Sequence, residues 1–233
     1  MSSFALRMLA LCTMLIDHAG LALFPGLGVF RCIGRLSFPL YCFLLVQGYR
    51  HTRDVHAYGR RLLLIAILSE IPFDLLIFGR TASFMEQNAL FSLLLGLMAV
   101  CAADTFRHKP VYTFVSGVLL CLCAMLARVS YGWLGIALCL CIYTAQTSPR
   151  KLVLYAGGCL LLYTLSLMFS GVAQSWVLVS FCALFALMPM LLYNGRRGVR
   201  QPLLTCLFYA AYPLHLAALV IVRALRLIPP YLF

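Results

Sequence analysis

Residues 4–24, FALRMLALCTMLIDHAGLALF, decide the fold. Coiled as a helix, this run covers about 30 Å, the thickness of the hydrocarbon core of a bilayer. Only Arg7, near its start, and the adjacent pair Asp17-His18 interrupt the apolar side chains. A basic residue ahead of an apolar stretch also marks secretory signals. Here the ionisable pair breaks the apolar region and no Ala-x-Ala cleavage site follows, so a retained helix is expected.

Apolar runs of about 17–22 residues recur outward from that first one. They predict helices at 4–23, 32–49, 60–78, 88–105, 110–127, 129–146, 150–169, 174–193 and 203–226. Pro25-Gly26, Gly79–Gln87, Arg107–Pro110 and Asn194–Pro202 punctuate them. The weakest break is Ala127–Ser130. The expectation is therefore an all-α, polytopic transmembrane helix bundle of about nine spans (between eight and ten), one membrane domain over residues 1–233. Composition agrees: 64% of the 233 residues are hydrophobic and 10% charged, where a soluble domain has roughly half and a quarter.

The formal net charge of +12 comes from 18 Lys+Arg against 6 Asp+Glu. The basic residues cluster in short connections, where they orient the chain and meet anionic lipid, so no nucleic-acid partner is expected. Twelve of the 18 fall at Arg7 and in the connections after even-numbered helices. That bias predicts an amino terminus in the cytoplasm. Most of the 11 cysteines lie inside apolar runs, without C-x-x-C or zinc spacing, so they read as small apolar side chains and no metal is expected.

An ionisable group in hydrocarbon is expensive and marks a candidate site. Asp17, His18, Glu70 and Asp74 are such groups. Asp17 and His18 are sequence neighbours and point about 100° apart, so each needs its own partner from another helix. Arg31 and Arg35, four apart on one helical face, are the nearest cations for Asp17. Glu70 and Asp74 are also four apart, with Pro72 between them. They read either as an ion-pair lock joining the first three helices or as the carboxylates that orient a catalytic histidine. Asn88 caps the fourth helix or serves the site. Tyr212 and His215, in Tyr-x-x-Tyr-Pro-x-His, line an interface or a second site. Arg50, His51, Arg53, Arg60 and Arg61 form a dense basic patch, read as a topology signal or as a cradle for the phosphates of an anionic cofactor.

Met14-Leu15-Ile16-Asp17-His18, Ile33-Gly34-Arg35-Leu36-Ser37-Phe38-Pro39 and Gly48-Tyr49-Arg50-His51-Thr52-Arg53 resemble the TraX family. Ser69-Glu70-Ile71-Pro72-Phe73-Asp74, the run Gln87–Gly96 and Tyr212-Pro213-Leu214-His215-Leu216 continue the resemblance in order. The family is named for a pilin acetylase of conjugation systems, and resembles multi-span acyltransferases that pass acetyl groups from cytosolic acetyl-CoA to acceptors across the membrane. The resemblance implies His18 as catalytic base, with Arg35, Glu70 and Asp74 at polar motif positions.

The expected activity is therefore acetyl transfer from acetyl-CoA to an amine or hydroxyl of a peptide, glycan or lipid, the pilin amino terminus by resemblance. His18, poised by a carboxylate from another helix, takes the acceptor's proton, and Arg35, Asn88 or a tyrosine meets the oxyanion. Asp17, Glu70 and Asp74 complete the catalytic set. Arg31, Arg50, His51, Arg53, Arg60 and Arg61 are assigned to the cofactor, and Tyr212 and His215 to the acceptor. Two rival readings are a proton-coupled transporter with an Asp17/His18/Glu70/Asp74 relay, and a scaffold whose polar cluster is only interhelical glue.

Overall fold

The structure, a computed structural model, describes residues 1–145, 148–199 and 202–225. Residue 226, the expected end of the ninth helix, and Arg200 of the basic count lie outside them. The described chain is all-helical, in nine helices: α1 Ser3–Leu23, α2 Gly28–His51, α3 Val55–Phe78, α4 Ala89–Thr105, α5 Pro110–Leu126, α6 Trp133–Ala145, α7 Pro149–Phe169, α8 Gln174–Leu191 and α9 Pro202–Ala224. Five of them, α1, α2, α7, α8 and most of α9, are long and apolar enough to cross a membrane.

Local chemistry sets the ends. The Ser2 hydroxyl caps α1 by accepting from Ala5 N, and the Asp54 carboxylate caps α3 by accepting from Ala57 N at 2.8 Å. The exposed Asp54 carboxyl is held below its usual range mainly by that backbone bond, with the Arg60 charge adding to it. The cap moves the start of α3 to Val55, ahead of the expected residue 60. Pro110 and Pro149 sit in first turns, where a missing N–H costs nothing.

Two expected helices differ in detail. α2 begins at Gly28, not residue 32, and is broken at Arg35–Leu36 into Gly28–Gly34 and Ser37–His51. The cause is Pro39, which lacks the N–H that would reach the Arg35 carbonyl and whose ring crowds it. α6 begins at Trp133 rather than 129, because Arg128, Tyr131 and Gly132 take positive φ values of 52°, 65° and 46°. The resulting turn pairs with the segment before α4: Gln87 N donates to Arg128 O and Ser130 N to Gln87 O, both at 2.9 Å. That turn makes Ala127–Ser130 a true break.

α6 is the middle of the bundle. Leu134, Ile136, Leu138, Cys139 and Ile142 are buried in it, between α2, α4 and α5. α4 approaches closely through Gly135: a Cβ there would stand 2.2 Å from Ser92 Oγ. Small residues let helix backbones meet where lipid offers no hydrophobic drive. Cys42, Cys139 and Cys159 fill this core as small apolar side chains. α1 packs on both pieces of α2 and on α9, and α9 on α3, where Arg223 Nη1 donates to Leu76 O at 3.1 Å. The outward face of α3 carries Leu64, Ile67, Leu68 and Ile71, each more than half exposed, an apolar surface suited to lipid. α1, α2, α3 and α9 thereby leave a space between them.

Candidate functional site

That space is a cavity of about 1100 Å³. Its lining on α1 runs from Ser3 to Leu21, about 27 Å of helix, so it follows most of the bundle's length. Arg7, His51, Arg61 and Arg197 surround one end, all exposed. Asp17, His18, Arg31, Arg35, Glu86 and Tyr131 line the other.

His18 stands on the cavity wall. Its Nδ1 lies 2.7 Å from His215 Nε2, the two ring planes within 18° and their centroids 4.9 Å apart, as an in-plane hydrogen bond requires, and Tyr212 meets His18 edge-on. His215 Nδ1 is 2.7 Å from Ala211 O. The partner of His18 is thus an imidazole of α9, not the carboxylate expected from the sequence.

Asp17, one residue earlier and therefore turned by about 100°, reaches Arg31 Nη1 at 2.8 Å. The carboxyl occupies the space that a side chain at position 34 would need: a Cβ on Gly34 would fall 2.0 Å from Asp17 Oδ1. Only glycine there lets α2 approach α1 closely enough for the ion pair. The Arg31 and Arg35 guanidinium groups both lie over the Trp176 ring, at 5.4 and 5.8 Å. Arg35 pairs with no carboxylate among the described residues, and its Nε has no hydrogen-bond partner. Two guanidinium groups face the one Asp17 carboxylate here, and the Arg35 side chain lines the cavity. At the rim of the same end, Ser130 Oγ donates to Glu86 Oε1 at 2.6 Å.

Glu70, Asp74 and Asn88 form a separate cluster, outside the cavity lining and away from His18. The Asn88 amide donates to Ala66 O at 2.9 Å and to Glu70 Oε2, while Asn88 Oδ1 accepts from Leu90 N and caps α4. Asp74 Oδ2 accepts from Ser83 N at 2.6 Å. The two carboxylates brace the α3–α4 connection, drawn to free N–H groups at and before the start of α4. The cavity-facing stripe of α3 is Tyr58, Arg61, Leu62, Ile65, Phe73 and Ile77, about a quarter-turn from them. Asn88 is fully buried, so Asn88→Ala removes a cap and takes a side-chain donor from Ala66 O and from Glu70 Oε2, the latter keeping only the backbone N–H of residue 88. It should cost about 2 kcal/mol, read as a drop of several degrees in the thermal unfolding midpoint of purified protein.

The basic patch divides as well. His51 and Arg61 line the cavity. Arg50 turns away, its Nη2 donating to Tyr143 O at 2.9 Å, beside the Asp104 carboxylate that accepts from the Tyr49 and Tyr143 hydroxyls. Arg53 and Arg60 are exposed outside the lining, and Arg31 belongs to the far end. Tyr212 lines the cavity; His215 stands behind His18. Sequence reasoning passed over Arg7, Glu86, Tyr131, Trp176 and Arg197. Arg7 had a signal: it precedes His18 by eleven residues, three turns, and so shares its face.

A family model described as TraX protein matches residues 2–223. A probable fimbrial assembly protein FimC, serogroup H1, of Dichelobacter nodosus is 30% identical over 238 residues, covering 94% of each chain. An uncharacterised protein of Rickettsia prowazekii (strain Madrid E) is 29% identical over 157 residues, 64% of this chain and 58% of its own. No solved structure matches the chain.

Proposed function

This chain belongs to the TraX family, and on that premise we propose that it is a membrane-embedded acetyltransferase using acetyl-CoA, with His18 as general base. The observation that carries the reading is a half-buried imidazole on the wall of a 1100 Å³ cavity whose one end is ringed by cations. A volume at the top of the usual ligand-pocket range suits a nucleotide-bearing donor. The cationic end suits its phosphates, and the Arg35 guanidinium, whose Nε has no hydrogen-bond partner, suits the oxygen of a thioester carbonyl as it gains charge.

In this reading Arg7, His51, Arg61 and Arg197 hold the phosphates, and the bundle is oriented with that end in the cytoplasm of a bacterium, across its inner membrane. Acetyl-CoA supplies an activated carbonyl carbon. His18 takes the proton of the acceptor's amine or hydroxyl as that atom bonds to the carbonyl carbon. Arg35 stabilises the oxyanion. The carbon–sulfur bond then breaks, and His18 returns the proton to the thiolate, leaving acetylated acceptor and free CoA thiol. A pilin amino terminus is the acceptor that the family and the FimC relative suggest. The transporter alternative loses its observation, because Glu70 and Asp74 stand outside the cavity and the proposed relay is broken.

Arg7→Ala and Arg61→Ala should each raise KM for acetyl-CoA several-fold with kcat nearly unchanged, an effect that fades at high salt. Steady-state kinetics at two ionic strengths check this. The reading itself is tested by incubating the purified protein with radiolabelled acetyl-CoA and membranes of its own host. Label transferred to a pilin or another membrane acceptor supports it. Absence of transfer, with proton-driven flux into liposomes instead, would refute it.

A further inference from the structure

We propose that His215 is a positioning residue that fixes the proton of His18 on Nδ1 and so makes Nε2 the basic nitrogen. The inference deepens the acetyltransferase reading and rests on it for its kinetic consequence, though its structural part stands alone.

One partner in the arrangement cannot change roles. The Ala211 carbonyl only accepts, so the nitrogen 2.7 Å from it, His215 Nδ1, must carry a proton. The contact is local: a helical side chain leans back over the preceding turn, which brings an imidazole to the carbonyl four residues earlier. A neutral imidazole with its proton on Nδ1 presents a lone pair at Nε2. That lone pair is 2.7 Å from His18 Nδ1, which must therefore donate. His18 in turn keeps its lone pair on Nε2. One backbone carbonyl thus dictates, through two rings, which atom of His18 can take a proton.

No other group competes for this task. The Asp17 carboxylate is engaged with Arg31, and the carboxylates of Glu70 and Asp74 bond Asn88 and Ser83. Tyr212 touches His18 only ring to ring. A neutral partner also suits a base that must give its proton back. A carboxylate at Nδ1 would hold the imidazolium more strongly than a second imidazole does. When His18 Nε2 takes the acceptor's proton, the Nδ1 proton can shift to His215 Nε2 and spread the charge over both rings. No proton is gained or lost until the thiolate takes one from His18.

The test is nitrogen-15 NMR of histidine-labelled protein in proteoliposomes, with the His18 and His215 signals among the five histidines assigned by His18→Gln and His215→Gln. Both rings should carry the proton on Nδ1, the less common tautomer in free histidine. His215→Gln places an amide oxygen near the lost Nε2, and should keep the His18 tautomer and most of kcat. His215→Phe keeps the ring without an acceptor; it should release the tautomer and lower kcat by about a hundredfold with KM for acetyl-CoA unchanged. A tautomer fixed the wrong way in a Ser–His–Asp triad costs about 10⁴-fold; here it is released, so a fraction of His18 stays competent and the loss is smaller. A wild-type His18 protonated on Nε2, or a His215→Phe variant with full kcat, would overturn the proposal. Both Nδ1 protons present in a protein that transfers no acetyl group would leave the tautomer assignment standing and sink the acetyltransferase reading alone.

Discussion

His18→Ala is expected to lower acetyl transfer by a factor of about 10²–10⁴, the usual worth of a placed general base. The imidazole borders open cavity rather than packed core, so its removal leaves the helices α1 and α9 in contact through Met14, Tyr212 and Leu216. The loss should therefore fall on kcat, with KM for acetyl-CoA close to wild type, because the phosphate-binding end lies about 17 Å away along α1. Single-turnover transfer with labelled acetyl-CoA measures it, beside a thermal unfolding midpoint within a few degrees of the parent. Full retention of transfer would remove His18 from the mechanism.

Asp17→Ala acts on stability instead. The carboxylate and Arg31 are nearly closed off from solvent, with side-chain exposures of 11% and 18%. Removing one partner leaves a guanidinium in a poorly solvated setting with a second, Arg35, on the same ring of Trp176. The expected cost is about 3–5 kcal/mol, enough to deplete folded protein in detergent. Replacing both partners with apolar side chains, Asp17→Ala with Arg31→Met, should recover part of it, since Arg31 is then no longer stranded and only Arg35 still lacks the shared carboxylate. Unfolding of the two single variants and the double one, compared as a cycle, checks this. A double variant no more stable than Asp17→Ala would show that the pair does not carry the contact between α1 and α2.

How far these residues could be read beforehand follows from the range of the forces involved. The helices were legible because length and apolarity are properties of a single run, as in residues 4–24. The pairing of Asp17 with Arg31 was legible as one of two options, since Arg31 and Arg35 share a helical face. The identity of the His18 partner was not, because it depends on how α9, some two hundred residues later, is rotated against α1. The same ignorance of rotation misdirected Glu70 and Asp74: the spacing put them on one face of α3 without saying that it turns to α4. The late start of α6 was hidden because nothing in Arg128 or Tyr131 advertises a positive φ, which their backbones adopt to let Gln87 pair with the turn.

The most direct measurement is a structure of the protein bound to an unreactive thioether analogue of acetyl-CoA. The account requires the phosphates at Arg7, His51, Arg61 and Arg197, and the carbonyl carbon at the far end, near Arg35. An acceptor atom placed between that carbon and His18 Nε2 should then be about 3–3.5 Å from each. An analogue bound outside the cavity, or with its acyl end remote from His18, would contradict it.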